Sequence, residues 1–326
     1  MIIENSKTYN VNEVENLFFR PSFCGKSAEE LGIRVLYNMP IPTKLPLFGN
    51  KHNILKEFSS GWQGEIHHDY RETEIPMAKL KAENSYSAEA YFSTIYELLT
   101  NSADVNLGDL TGTDLEKAET EIFRRAIVES IYATMWFGDE SGEVSNLTGF
   151  SGFIRKIIDI YDNDSSNSSV IVFEEDTEAA ADMIFQEVWE QAKDDLRSIA
   201  TEGNLAYFVS SDIYDAYHFW LEHQGFTSAI ADTNNTRPTL AFHGIPVVEI
   251  PARKYDTNRA KSFCILTDRR NLVLALNTAD SPEKEIHMWY NPDEMENRQR
   301  VVFLAGTAIA DKDILSAYIY DADLTL

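Results

Sequence analysis

Residues 113–150, TDLEKAETEIFRRAIVESIYATMWFGDESGEVSNLTGF, constrain the fold of this chain more than any other stretch. Thr113 with Glu116 three residues on forms a capping box, in which each side chain satisfies an orphan backbone N–H. Asp114 and Glu116 place negative charge in the first turn, where the helix dipole favours it. Leu115, Ala118, Ile122, Ala126, Ser130 and Ala133 follow three-to-four spacing, with Phe123, Ile127, Ile131 and Met135 beside them. Glu116, Lys117, Glu121, Arg124, Arg125 and Glu129 cover the other side. Gly138 supplies the stop, since glycine enters the left-handed C′ conformation without steric cost. The spacing predicts a helix over 113–137, roughly 36 Å long at about 1.5 Å per residue. Asp139 then opens a glycine-punctuated loop. Its expected role there is an Asx-turn, with its carboxylate accepting from local N–H groups, and not catalysis.

Such a helix needs a core to lie on, and 44% apolar and 12% aromatic residues in 326 supply one. The net charge is −25, from 28 Lys and Arg against 53 Asp and Glu. Phosphate and anionic-membrane binding need basic clusters, so neither nucleic-acid recognition nor membrane docking is expected. Two cysteines, Cys24 and Cys264, make no disulfide framework, and their spacing suits no metal site. Cys264, in Ser-Phe-Cys-Ile-Leu, reads as a buried free thiol. The acidic N-terminus lacks the basic-then-apolar pattern of a signal peptide. No run reaches the ~18 apolar residues of a membrane span. The expectation is a protein made and folded in a cytoplasm.

Along the chain, residues 1–60 carry a short helical pattern at Val14, Leu17 and Phe18. Pro21, Pro40, Pro42 and Pro46 then favour an extended path. Residues 61–86 are polar with sparse apolar positions, interrupted by Pro76. They read as a two-stranded excursion with little core of its own, marginal without a partner surface. Residues 87–101 regain helical spacing, and 151–161 form a short apolar helix. The polar loop 162–169 is the clearest boundary between lobes. Residues 178–200 read as one helix through Ala181, Ile184, Phe185, Val188, Ala192, Leu196 and Ile199. Strands are expected at 205–209, 244–250, 263–267, 271–276, 286–290, 300–304 and 314–320, with a helix from Ser210 or Ser211 to Gly225. Strands and segregated helices together give an α+β fold.

Signatures of chemistry are missing: there is no P-loop, GxGxxG, HExxH or GxSxG. Ser151, between glycines, follows a loop where a nucleophile elbow would follow a strand. His67 and His68 are adjacent, so on a strand they point to opposite faces and do not chelate together. His218 and His223 sit five apart on a helix, poor ligand geometry. Glu174, Glu175 and Asp176 read as a solvated approach to a helix. No catalytic, cofactor or metal residue is therefore assigned, and no enzyme is expected. Trp62 stands apart from the other four tryptophans, because it lies where little local core exists. An aromatic so placed is a candidate contact for another chain. Ile66 and Ile75 would add apolar contact, and Arg71 would pair with a neighbour's carboxylates.

Taken in order, three stretches resemble the major capsid proteins of tailed bacteriophages, with their Hong Kong 97-type fold. The first is the long helix ending in Phe137-Gly138-Asp139-Glu140-Ser141-Gly142, followed by Thr148-Gly149-Phe150. The second is the helix at 178–200, the strand Leu205-Ala-Tyr-Phe-Val209 and the helix opening Ser211-Asp-Ile-Tyr-Asp-Ala-Tyr217. The third is Leu240-Ala-Phe-His-Gly244-Ile-Pro-Val-Val-Glu-Ile-Pro251. The chain end, Arg298 through Ile319, is similar to the family's return through both lobes. Glu140-Ser141 departs from the family, where a second glycine is common. Some members cross-link Lys to Asn, but neither Lys79 nor Lys81 can be matched to an Asn partner, so no chemistry is carried over.

The resemblance implies an α+β Hong Kong 97-like capsid fold with a long spine helix at 113–137. An N-terminal arm would occupy 1–60 and an extended hairpin loop 61–86. A peripheral domain would take 87–175 and 283–310, and an axial domain 176–282 and 311–326. It implies a structural subunit of a phage or prophage head, self-assembling into pentamers and hexamers of an icosahedral shell around DNA. Portal and scaffold proteins would be further partners, and the virion capsid its location after synthesis in the bacterial host cytoplasm. Two alternatives stand beside it: an encapsulin-like nanocompartment shell, and a soluble acidic enzyme or binding protein with a pocket between lobes.

Overall fold

The computed structural model describes residues 26–41, 43–50, 57–58, 60–61, 68–87, 109–111, 114–142, 147–163, 169–173, 181–224, 240–251 and 262–320. The expected helices near residue 14 and over 87–101, Thr113 of the capping box, Cys24, His67, and the 174–176 and 226–238 stretches lie outside these, apart from Ser87. In chain order the elements are β1 (Arg34–Leu36), β2 (Thr43–Asn50), β3 (His68–Ile75), β4 (Ala78–Tyr86), α1 (Asp114–Phe137), α2 (Phe153–Asn163) and β5 (Val170–Phe173). They continue with α3 (Ala181–Gln191), α4 (Asp194–Ser198), β6 (Leu205–Ser210), α5 (Ser211–His223), β7 (Ala241–Phe242), β8 (Ile245–Ile250) and β9 (Ser262–Asp268). The last are β10 (Leu272–Leu276), β11 (His287–Asn291), β12 (Glu296–Ile309) and β13 (Leu315–Tyr320).

Three sheets result. The first runs β1-β10-β12-β11, with β4 on the other side of β12; the second runs β5-β13-β9-β6-β8-β7; β2 and β3 form a two-stranded ribbon. Two strands pair outside the lobes that the resemblance implied for them, although the 162–169 loop, read as a lobe boundary, already leaves β5 on the second side. Strand β5, placed with the first lobe, pairs with β13 in the second sheet. Strand β10, placed with the second lobe, pairs with β1 and β12 in the first.

Helix α1 packs on α2, β12 and the turn at 282–284. Its buried stripe differs from the one the spacing suggests. Phe123 and Ile127 are buried, whereas Ile122, Ala126 and Ser130 face outward. From Tyr132 to Phe137 the helix is buried all round, because its end enters the space between the two sheets. Trp136 meets Phe153 of α2 at 5.4 Å and Phe208 of β6 at 5.3 Å between ring centroids. Phe137 meets Phe263 of β9 at 6.1 Å.

Gly138 ends the helix for a reason other than the expected left-handed turn, since its φ is not positive. Close approach requires it. A Cβ there would collide with the carbonyl oxygens of Phe150 and Thr134. Its own N–H donates to Thr134 O at 2.9 Å, and the Gly152 N–H donates to Gly138 O at 2.8 Å. The Asx-turn is present: the Ser141 N–H donates to Asp139 Oδ1 at 2.9 Å, and its hydroxyl at 2.6 Å.

The expected helix over 178–200 is two helices and a 3-10 turn at Ile199–Glu202. The break falls at Lys193, which is extended at φ −63 and ψ 155. Ile184, Phe185, Val188, Ala192 and Leu196 nevertheless share one buried cluster with Tyr207 and Tyr217. Cys264 is a buried free thiol there, and burial pushes its pKa up. All seven expected strands are present, and β12 extends well beyond the five residues read for it. Its inward positions include Asn297 and Gln299, which hide the period from a hydropathy reading. Asn297 Oδ1 accepts from the Leu110 N–H at 3.2 Å and Gln299 Nε2 donates to Thr120 Oγ1 of α1 at 2.9 Å, while Gln299 Oε1 is buried with no hydrogen-bond partner among the described residues.

Two outcomes follow for α1. Ile127, 3% exposed, becomes an uncompensated buried charge in Ile127→Asp. That variant is expected to be insoluble or to lose cooperative unfolding, while Ala126→Asp on the outward face melts like the parent. Gly138→Ala overpacks the junction and is expected to lose about 1–3 kcal/mol, read as a lowered midpoint in denaturant. An unchanged midpoint would show that the 147–152 turn can move aside.

Candidate functional site

The sequence reading placed an extended hairpin at 61–86, and the structure moves it. Strand β3 pairs with β2, in register from Thr43↔Ile75 to Asn50↔His68. Strand β4 leaves for β12, from Asn297↔Tyr86 to Ala305↔Ala78. The chain bends at Pro76, whose carbonyl lies directly over Gly306 of β12, where a Cβ would collide with it. With the bend there, Ala78, Leu80 and Ala82 turn inward onto the main core. The ribbon therefore joins residues 43–50 to 68–75. Residues 34–36 and 43–50, expected as arm, belong to the first sheet and to the ribbon.

The two faces of the ribbon differ. One carries Thr43, Leu45, Thr73 and Ile75. Leu45 and Ile75 are buried against Val273, Ala275 and Ala308. The Thr73 hydroxyl donates to Ala310 O at 3.1 Å. The other face carries Lys44, Pro46 and Phe48 opposite Glu74, Glu72 and Tyr70. Phe48 is 72% exposed and Tyr70 50%, and their rings pack at 5.1 Å between centroids. Tyr70 donates to Glu72 at 2.5 Å, and Lys44 lies 3.1 Å from the same carboxylate. The tyrosine hydrogen bond, then Lys44, hold the Glu72 carboxyl below its usual range.

Of the four contact residues named from sequence, Trp62 and Ile66 lie outside the described residues. Ile75 is 1% exposed and packs in its own chain's core, so it has no surface for a neighbour. The sparse apolar positions around Pro76 gave no sign that Ile75 faces Val273 and Ala308 of its own chain. Arg71 pairs with Asp313 of its own chain at 3.5 Å. The aromatic pair Phe48–Tyr70 was missed. The prolines around it, Pro46 among them, favour an extended path with few ladder bonds, although Pro46 lies within β2. An edge strand tolerates the N–H that a proline lacks.

Asp313 holds the ribbon's other tie. Lys193 Nζ sits 2.5 Å from Asp313 Oδ1, and Arg71 reaches Oδ2. Lys193 first, then Arg71, hold the Asp313 carboxyl below the usual range. A cavity of about 210 Å³ lies elsewhere, walled by residues 26–37, α1, β10 and the 281–284 turn. All its walls belong to the first-sheet side, so it is no inter-lobe pocket. Burial raises the pKa of Tyr37 there, and its hydroxyl donates to Glu29 at 2.9 Å. Among the described residues, no group of three His, Cys, Asp or Glu is placed to hold a metal. His218 lies against Glu222 at 3.7 Å, and Ser151 offers its carbonyl to Thr307 Oγ1 at 2.5 Å.

The fold matches a chain of the satellite phage P4 procapsid, a structure including the size determination (Sid) protein. The TM-score is 0.53 at 11% identity, over 95% of this chain and 99% of that one. It also matches a chain of the capsid of Myoviridae phage XM1, with a TM-score of 0.50 at 11% identity, over 93% and 94% of the two chains. No protein-family profile matches the sequence, and no curated protein does. The α+β architecture is thus the Hong Kong 97-type capsid fold.

The Asp313 tie has a pH signature. Lys193 first, then Arg71, hold its folded pKa below the ordinary aspartate value of about 3.9. Its contribution to stability is therefore complete above about pH 4 and is lost as pH falls through the folded pKa. Asp313→Asn should melt below the parent by a constant margin from pH 5 to 8, and the margin should close below about pH 4. Thermal melts of both proteins across that range test this. A margin unchanged at acid pH would show that the carboxylate's charge is not what stabilises.

Proposed function

We propose that this chain is a structural shell subunit, a phage or prophage major capsid protein that assembles into an icosahedral head enclosing DNA. The observation that carries the reading is the ribbon: rooted in the core by Leu45 and Ile75, it presents an exposed aromatic pair beyond that root. The match of nearly the whole chain to subunits of phage shells supports it. On this reading the subunit acts by assembling and carries no active site. Its partners are copies of itself in pentamers and hexamers, with portal and scaffold proteins at particular positions. It is made in the bacterial host cytoplasm and resides in the virion capsid. Helix α1 is the spine, the lobe around the first sheet is peripheral, and the lobe around the second is axial. The ribbon is the intersubunit arm. Phe48 and Tyr70, with Trp62 and Ile66 from the intervening chain, meet a neighbouring copy.

Phe48→Ala with Tyr70→Ala separates assembly from folding. Both side chains are exposed, so the monomer should keep its stability to within about 0.5 kcal/mol. Negative-stain microscopy of the parent, expressed in bacterial cells, should show closed particles, and the double variant should give small oligomers only. A parent that forms no closed particle, with or without a coexpressed scaffold, would overturn the reading. A variant that assembles like the parent would remove the ribbon from it.

A further inference from the structure

We propose that Asp313 is a positioning residue that sets the angle at which the β2–β3 ribbon leaves the body, by pinning Arg71 of the ribbon to Lys193 of the second lobe. The ribbon's inward face runs along the link between the two sheets. Ile75 packs on Ala308, Thr73 bonds Ala310 O, and Arg71 reaches Asp313. Three alternate residues thus follow residues 308–313, from apolar contact to hydrogen bond to ion pair. The first two tie the ribbon only at its root. Among the described residues the ribbon has two strands, and such a ribbon is soft in twist, so the contact farthest from the root governs its direction.

Most exposed ion pairs contribute little, because two long side chains must be ordered to make them. Here the acceptor is ordered beforehand. The Asp313 N–H donates to Asp311 Oδ1 at 2.9 Å, and the Asp311 N–H to Asn271 Oδ1 at 2.7 Å. The Asn271 carbonyl accepts from the Ala310 N–H at 2.9 Å. Asn271 Nδ2 donates to Thr267 Oγ1, Asp311 O and Ile314 O at 3.0, 2.9 and 3.1 Å. The carboxylate therefore projects from a fixed turn with its two oxygens divided, Oδ1 to Lys193 and Oδ2 to Arg71. Lys193 stands at the extended break between α3 and α4. A shift of the second lobe would move that ammonium and redistribute the carboxylate, so the ribbon's angle is coupled to the lobe. That this angle bears on assembly rests on the function proposed above; the pin itself does not.

The test is a distance measurement on the unassembled subunit. Spin labels are placed at Phe48→Cys on the ribbon and Met183→Cys on α3, both exposed positions, in a Cys24→Ser background with Cys264 left buried. Pulsed dipolar spectroscopy of the monomer peak should show one narrow distance for the parent. Arg71→Gln and Asp313→Asn should each lose that narrow peak, with far-ultraviolet dichroism unchanged, and Arg71→Lys should recover it. A broad distribution in the parent would overturn the pin. So would narrow peaks in both neutral variants, or broadening in Asp313→Asn alone, which would confine the aspartate's action to the body. Absence of shells would sink the proposed function and leave this measurement as it stands.

Discussion

The last turn and a half of α1, driven between the two sheets, is the constraint on which the rest of the structure depends. Trp136 and Phe137 touch α2, β6 and β9 at once. They fit only because Gly138 and Gly152 let two backbones cross at hydrogen-bond distance. Burial of an aromatic side chain removes on the order of 150–250 Å² from water, so this junction outweighs any single polar contact nearby. Its consequences run along the strands it meets. Ala206, Phe208, Phe263 and Ile265 face the α1 side, while Tyr207, Val209, Cys264 and Leu266 face α3 and α5. Strands β6 and β9 must be apolar on both faces, and their sequences are nearly unbroken apolar runs.

A second link between the sheets is polar and does a different task. The chain crosses from second sheet to first at 269–271 and returns at 310–314. Asn271 ties the two crossings together through its side chain and its carbonyl. Each such bond contributes roughly 0.5–1.5 kcal/mol net, but an unmade one leaves a buried group whose desolvation costs about 1–3 kcal/mol. The staple thus selects one relative placement of the crossings more than it adds stability. Apolar packing holds the lobes together, and directional bonds decide in what relation.

What was legible in the sequence follows from which signals are local. The strands of the second sheet show as apolar runs, and the Asx-turn at Asp139 shows in its own residue and neighbours. The depth to which α1 sinks was not legible, because Ile122 and Ile127 are equally apolar and only their partners distinguish them. Pairing was the main loss. Residues 68–86 contain two alternating strands separated by Pro76, and adjacency suggested that they pair with each other. The inward side chains of β4 find β12, and those of β3 find Ala308 and Val273, both more than 190 residues away in sequence. Nothing within the segment records that. Of the candidate site, a two-stranded excursion was legible from thin composition, but not that Leu45 and Ile75 root it in the chain's own core. Its true strands and its exposed aromatic pair required the register.

The ribbon's design limits what its contact can do. Phe48 and Tyr70, fully covered by a partner, would remove a few hundred Å² from water on the order given for aromatics. At about 25 cal/mol per Å² that is several kcal/mol. Bringing two free molecules together loses about 4–15 kcal/mol of translational and rotational freedom. The two terms are of similar size, so this aromatic pair alone would leave little net affinity. On the proposed function each subunit of a ring or shell would both give a ribbon and receive one, and closure would make the last contacts intramolecular, where association entropy is no longer lost. A weak contact of this kind allows errors to dissociate before closure and becomes durable after it. It also makes the ribbon's direction matter. An arm free to swing must be ordered at each docking event, whereas one fixed by Asp313 arrives already aimed, and the ordering term that would cancel so modest a contact is removed.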